Sequence, residues 1–288
     1  MIPASFDYHA PGNLKEAVSL LTQHGVNAKI LAGGQSLIPA MRFRLSAPGV
    51  LIDLNGVEGL DYVRERDGFL AIGAMTREAA LEESDVVRTG YPLLADAAKV
   101  IADPLVRNRA TVGGNVAHAD PANDHPAVML AYGAEIAAYG PGGTRTIPID
   151  EFFVGLFENA LRSDEILSEI RIPRPPSHSG GAYIKIERKV GDYAVSAAAI
   201  QLTMAGETCA TARIALTNVS PTPMRARRAE DALVGAELTD EVLEAAAKAA
   251  SEDCDPSPDL RGSVAYKRDL TGVLVKRAIR RALERVRA

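Results

Sequence analysis

The chain has 288 residues, a formal net charge of -5 and only two cysteines, Cys209 and Cys254. Two thiols cannot ligate an ordinary four-cysteine iron–sulfur cluster, and these two form neither a C-x-x-C pair nor a disulfide framework. The acidic balance argues against nucleic acid as a general partner, and at roughly 100–200 residues per domain the length suggests about two domains. Met1 to Glu16 lacks the apolar core of a signal peptide, and no run of about 18 apolar residues predicts a transmembrane segment. These features predict a cytoplasmic protein in a reducing compartment, whose redox work would need an organic cofactor or a partner.

In chain order, Asn13 and Glu16 have the spacing of a capping box before a helix carrying Leu14, Ala17, Val18 and Leu21, with Gly25 as its C-cap. Residues 28–31 and 50–54 read as strands, with Leu37 to Phe43 a short helix between them. Asp67-Gly68 marks a hairpin across Tyr62 to Ala74, and Thr76 is the expected cap of a helix over residues 77–83. Pro92 to Ala102 and Pro121 to Tyr132 read as helices. A further hairpin is expected at 134–139 and 144–149. Pro173 to Gly181, with three prolines and two glycines, is the expected boundary. Beyond it come strands at 183–189, 195–204 and 211–219, then helices from Ala229, the pattern of an α+β domain.

Two glycine pairs stand apart, Ala32-Gly33-Gly34-Gln35-Ser36 and Thr111-Val112-Gly113-Gly114-Asn115. Neither the G-x-G-x-x-G fingerprint nor a P-loop is present. Glycine permits positive φ and removes the Cβ that would hold an oxygen away. Successive N–H groups in such a turn form an anion-binding nest. Ser36, Thr111 and Asn115 add side-chain donors, so two such loops can grip a pyrophosphate from two sides. The bland alternative is that each pair is merely a turn.

With these motifs the sequence resembles the flavoprotein (medium) subunit of the xanthine dehydrogenase/aerobic carbon monoxide dehydrogenase family of molybdenum hydroxylases, over essentially its whole length. The similarity is carried by I-P-A-S-F-D-Y at 2–8, A-G-G-Q-S at 32–36, I-A-D-P-L-V-R-N-R-A at 101–110, T-V-G-G-N at 111–115, A-D-P-A-N-D-H-P-A at 119–127 and the stretch Tyr183 to Ala199. It implies an α+β chain. A vanillyl-alcohol-oxidase-type FAD-binding fold of two α/β subdomains, about 1–56 and 57–176, would precede a C-terminal domain at 177–288 with an antiparallel sheet and helices. It further implies FAD contacts from Leu31, Ala32, Gly33, Gly34, Gln35, Ser36, Leu37, Thr111, Gly113, Gly114 and Asn115. Asp124 would lie at the adenosine or phosphate region, Ile101 and Leu167 would line the cleft, and Lys185, Asp192 and Tyr193 would lie near the isoalloxazine. Gln35 stands where carbon monoxide dehydrogenases commonly carry histidine, which weakens the implication that carbon monoxide is the substrate.

The function so implied is electron transfer. A partner [2Fe-2S] subunit would deliver electrons to FAD, a large subunit would hold the molybdenum cofactor, and the assembly would be a dimer of heterotrimers. No side-chain nucleophile is expected. Two alternatives remain, a self-contained flavoprotein oxidoreductase of the same fold and a non-redox nucleotide-binding scaffold. His118, Asp120, Asp124 and His125 include metal-ligating residue types, but they lie where a loop enters a helix, and no metal site is expected. Eight Lys or Arg from Tyr266 onward make a basic terminal helix, read as a solvated face in preference to a docking surface.

Overall fold

The computed structural model describes residues 2–287. It opens with a parallel sheet in the order β1-β3-β2, built from β1 (Asp7–His9), β2 (Ala28–Leu31) and β3 (Val50–Asp53). Helix α1 (Leu14–His24) buries Ala17, Val18 and Leu21 toward this sheet. The Asn13 side chain accepts from the Glu16 N–H at 2.9 Å, and Glu16 reaches back to the Gly12 N–H at 3.1 Å. The capping box is therefore present, with its return bond one residue further upstream. Gly25, at φ +53°, ends the helix. Helix α2 (Leu37–Arg42) follows the first glycine pair.

The second layer is an antiparallel sheet. β4 (Val63–Arg66) and β5 (Phe69–Gly73) form its first hairpin, turned by Asp67 and Gly68, both at positive φ. The helices α3 (Glu78–Glu83), α4 (Asp85–Gly90), α5 (Pro92–Val100), α6 (Pro104–Arg107), α7 (Val112–His118) and α8 (Asp124–Tyr132) intervene. Then come β6 (Glu135–Gly140), β7 (Gly143–Pro148), the small hairpin β8 (Phe153–Gly155) and β9 (Glu158–Asn159), and β10 (Ile166–Pro173). The order is β4-β5-β10-β6-β7, with β8-β9 separate.

The third layer is antiparallel in the order β11-β12-β13-β14, from β11 (Ser179–Glu187), β12 (Ala194–Ala205), β13 (Thr208–Thr217) and β14 (Met224–Arg225). Helices α9 (Arg227–Leu233), α10 (Asp240–Asp253) and α11 (Val264–Arg287) complete it. Side chains alternate along β12. Ala197 and Ala199 enter the central core with α8, whereas Ala198, Ile200 and Leu202 meet the terminal helices. All nine residues of α8 are buried, the mark of a helix enclosed on every side. The expected α+β class, two α/β layers followed by an antiparallel sheet with helices, is what the chain forms.

Four local expectations need correction. Thr76 does not cap α3; Arg77 occupies that position. Thr76 is buried, and its hydroxyl exchanges hydrogen bonds with the Tyr62 backbone at 3.0 and 2.9 Å. The second glycine pair is the first turn of α7 and not a loop. Gly180 and Gly181 belong to β11 and not to a linker. A Cβ at Gly180 would stand 2.0 Å from the Ala282 carbonyl, so this glycine lets α11 lie on the sheet. The helix expected from Pro121 begins at Asp124, because Asp120 first forms a turn by accepting from the Ala122 N–H.

The basic helix is mostly paired within the chain. Lys267, Lys276 and Arg280 meet Asp259, Glu244 and Asp240, and Arg281 and Arg285 both meet Asp96 on α5. Cys209 and Cys254 are buried free thiols, each pushed up to about 11, chiefly by burial.

On β10, burial raises the Glu169 carboxyl, but hydrogen bonds from Tyr62, Arg171 and Arg66 outweigh it and hold the group below its ordinary value. The Arg145 hydrogen bond does the same for Glu165, against burial. Depressed carboxyls stabilise the fold above their unfolded pKa, about 4.3 for Glu, and that contribution is lost as pH falls through the folded value. The melting temperature is expected to drop as pH falls below about 4.5. Glu169→Gln should flatten that dependence in melts recorded across the acid range. An unchanged dependence would remove Glu169 from the account.

Candidate functional site

The two glycine segments meet. A Cβ on Gly33 would lie 2.4 Å from the Arg109 carbonyl oxygen and 2.7 Å from Ala110 Cα. One on Gly114 would lie 2.7 Å from Thr111 Oγ1 and 3.4 Å from Ala32 Cβ. Backbone therefore approaches backbone at a distance that side chains would forbid. Asn55 supports the junction by donating to the Ala32 carbonyl at 3.1 Å. Arg77 donates to the Arg109 carbonyl and to Asn55, both at 2.5 Å. Asn55 and Arg77 carried no sequence signal, because neither lies in a glycine motif.

The segments differ in what they offer a ligand. Among the described residues, the N–H groups of Gly33, Gly34, Gln35 and Ser36 have no acceptor within the chain. Gly34, at φ +74°, turns this run into a nest. Gln35 is exposed, and its amide contacts only the Gly33 carbonyl, at 3.4 Å. Ser36 begins α2 without bonding its backbone, leaving the hydroxyl free, and Leu31 and Leu37 flank the nest half-buried.

The second segment already uses its backbone donors. Val112 and Gly113 donate to the Thr76 and Ala74 carbonyls at 3.0 Å each. Gly114 donates to Thr111 Oγ1 at 3.2 Å, and Asn115 to the Thr111 carbonyl at 2.9 Å. Gly113 lets α7 pack against the Ala74 backbone, where a Cβ would come within 2.6 Å, and the polar groups this segment leaves are the Thr111 hydroxyl and the Asn115 amide. The first segment thus keeps its N–H groups free, while the second has its backbone donors bonded within the chain. Asn115 Oδ1 is buried with no partner in the chain, the condition of a group awaiting a ligand or water.

The other expected site residues cluster where the second layer meets the third. Asp124 is buried, with one oxygen accepting from Tyr183 Oη at 2.5 Å and the other from Lys185 Nζ at 3.1 Å. Burial raises its pKa, against the pull of Lys185 and Tyr183. Lys185 also donates to the Val100 carbonyl at 2.9 Å and lies 3.3 Å from Glu187. Its side chain is 2 % exposed. Together the two tie β11 to α5 and α8, with each Asp124 oxygen accepting one hydrogen bond. Leu167 is part of the central core, and Ile101 is buried at the end of α5. The Asp192 carboxylate accepts from Arg261. Tyr193 keeps a half-exposed ring.

The histidine cluster has separate uses. His125 meets Glu78 at 2.7 Å in full burial, while the His118 ring lies 5.2 Å from that of Phe157. The Asn123 amide donates to the Asn115 carbonyl at 3.0 Å.

Residues 4–175 match the family described as FAD binding domain in molybdopterin dehydrogenase, and residues 181–282 match the CO dehydrogenase flavoprotein C-terminal domain. The chain belongs to this flavoprotein family. A carbon monoxide dehydrogenase medium chain from Hydrogenophaga pseudoflava is 47 % identical over 285 residues, covering 99 % of both chains. The 6-hydroxypseudooxynicotine dehydrogenase complex subunit alpha of Paenarthrobacter nicotinovorans is 40 % identical, covering 100 % of this chain and 97 % of that one. A solved structure of Hydrogenophaga pseudoflava carbon monoxide dehydrogenase lacking the Mo-pyranopterin moiety overlays with a TM-score of 0.97 at 48 % identity, covering 99 % of each chain.

FAD, the family's cofactor, fits the residues present. A pyrophosphate needs converging donors without a side chain between them, and the Gly33–Ser36 run supplies these where Gly33 packs against the Arg109 and Ala110 backbone. Burial and then repulsion from Arg109 shift Arg77 down, with Asp61 and Asp53 pulling the other way.

Proposed function

We propose that the chain is the FAD-carrying electron-transfer subunit of a molybdenum-containing dehydrogenase. Electrons would arrive from a partner [2Fe-2S] subunit and leave to an external acceptor. FAD supplies the capacity to take electrons singly and in pairs. The protein's residues bind and orient it. The Gly33–Ser36 N–H groups and the Ser36 and Thr111 hydroxyls would hold the pyrophosphate, with Asn115 beside them. The Asp124–Lys185–Tyr183 network would fix the cleft walls, and Tyr193 would present its ring to the isoalloxazine. The observation that carries this reading is the run of Gly33–Ser36 N–H groups with no acceptor among the described residues, held against the Arg109 and Ala110 backbone by Gly33.

The finer parts of the proposal are a division into FAD-binding residues 1–176 and C-terminal residues 177–288, a cytoplasmic site of action, and a dimer of heterotrimers with iron–sulfur and molybdenum subunits. Two buried, unpaired thiols suit a reducing compartment. Among the described residues, no helix is long and apolar enough to cross a membrane. The two relatives named above act on chemically unrelated substrates, which supports placing substrate selection in another subunit.

The test is purification from the native host with analysis of flavin, iron, molybdenum and polypeptides. Co-purification of all three redox groups with two further chains is expected. Turnover of an organic substrate by this chain alone would overturn the reading.

A further inference from the structure

The side chains that hold Tyr193 in place come from an unexpected part of the sequence. Gly191, at φ +83°, lies against the Ala102 and Asp103 backbone at the end of α5; a Cβ there would come within 3.2 Å of Ala102 C. Asp192 is then held by Arg261, whose Nη2 and Nε donate to Oδ1 at 2.5 and 3.1 Å. The same oxygen accepts from the Tyr193 N–H at 2.8 Å, and Arg188 Nε lies 3.6 Å from the other. The Arg261 guanidinium also stands 5.5 Å from the centroid of the Tyr193 ring, within cation–π range.

Arg261 is itself braced. It sits in a tight turn in which Asp259 Oδ1 accepts from the Arg261 N–H at 2.7 Å and the Gly262 N–H at 3.0 Å. The other Asp259 oxygen accepts at 2.9 Å from Lys267 on α11, a lysine with a 2 % exposed side chain that also donates to the Ser257 carbonyl at 3.0 Å. A continuous strut therefore runs Lys267–Asp259–Arg261–Asp192–Tyr193, from the terminal helix to the rim of the cleft. Without it, the exposed turn at Arg188 to Val190 would leave Tyr193 free to swing.

We propose that Arg261 is a positioning residue that fixes the Tyr193 ring over the flavin. This rests on the placement of Tyr193 at the isoalloxazine put forward above. Arg261 acts on both the backbone and the ring of that segment, by gripping Asp192 and by covering the Tyr193 face. A lysine would keep the charge opposite Asp192 and lose the planar stacking and the fork geometry.

The test uses the full chain loaded with FAD, and reads flavin emission lifetime together with FAD affinity. A tyrosine ring on the isoalloxazine quenches flavin emission by electron transfer in the excited state. Tyr193→Phe is expected to raise the emission several-fold. Arg261→Ala should raise it in the same direction with FAD affinity nearly unchanged, and Arg261→Lys should fall between. If Arg261→Ala does not fold, Asp192→Asn cuts the strut at its other end and should give the same rise. Emission that rises in Tyr193→Phe but stays at the wild-type level in the folded Arg261 and Asp192 variants would overturn the strut and leave Tyr193 at the flavin. Emission unchanged in Tyr193→Phe would overturn that placement, and the strut proposal with it.

Discussion

Gly33→Ala is expected to remove stoichiometric FAD binding while leaving most of the fold in place. The added Cβ would come 2.4 Å from the Arg109 carbonyl oxygen and 2.7 Å from Ala110 Cα. Both are backbone atoms and cannot rotate away. The segments must part, which moves the Gly33–Ser36 nest away from the Thr111 hydroxyl. Overpacking of this kind costs about 1–3 kcal/mol or more, and each ~1.4 kcal/mol taken from binding is tenfold in Kd. A loss on the order of 100-fold in FAD affinity follows, read by titrating the apo chain with FAD. Gly114→Ala should be milder, because its nearest obstacle is the Thr111 hydroxyl, a side-chain atom that can turn. Equal affinities for Gly33→Ala and the wild type would mean that the cradle lies elsewhere.

Asp96→Ala should produce the largest loss of stability among single substitutions of charged residues. Asp96 lies on α5 and is 9 % exposed. It accepts from Arg285 at 2.7 and 2.9 Å, from Arg281 at 3.1 Å and from the Tyr183 N–H at 3.2 Å. The helix that ends the chain is thus fastened to the FAD-binding layer through one carboxylate. Breaking a buried pair costs about 3–5 kcal/mol. Arg281 is about half exposed and rehydrates readily, so the lower end, about 3 kcal/mol, is the expectation. For a chain of this size that lowers the melting temperature by roughly 6–12 °C. Asp96→Asn should lose less, since its carbonyl oxygen still accepts. Calorimetry at neutral pH decides the matter, and a shift below about 2 °C for Asp96→Ala would show that the ion pairs contribute little.

What the sequence made legible had local causes. The cap at Asn13, the Asp67-Gly68 turn and the alternating strands are set by residues close together in the chain, so their signals survive without tertiary information. The glycine pairs were legible as a place but not as a mechanism. That Val112 and Gly113 already donate to Thr76 and Ala74 depends on the segment just after β5, 36 and 39 residues upstream. Likewise the pairing of Lys185 with Asp124, and their bonds to Val100 and Tyr183, are contacts that only packing creates. Gly180 was read as a linker because its partner, the Ala282 carbonyl, lies about 100 residues downstream. Arg261 carried no motif, since its role comes from a turn braced by Lys267 and aimed at Asp192.

The most direct measurement is the FAD content of the purified chain after reconstitution, by absorbance and by FAD released on denaturation, for the wild type and Gly33→Ala side by side. The account predicts one FAD per wild-type chain and almost none for a folded Gly33→Ala. A folded wild-type chain that takes up no FAD, or a Gly33→Ala chain that retains it in full, would contradict the glycine cradle on which the function rests.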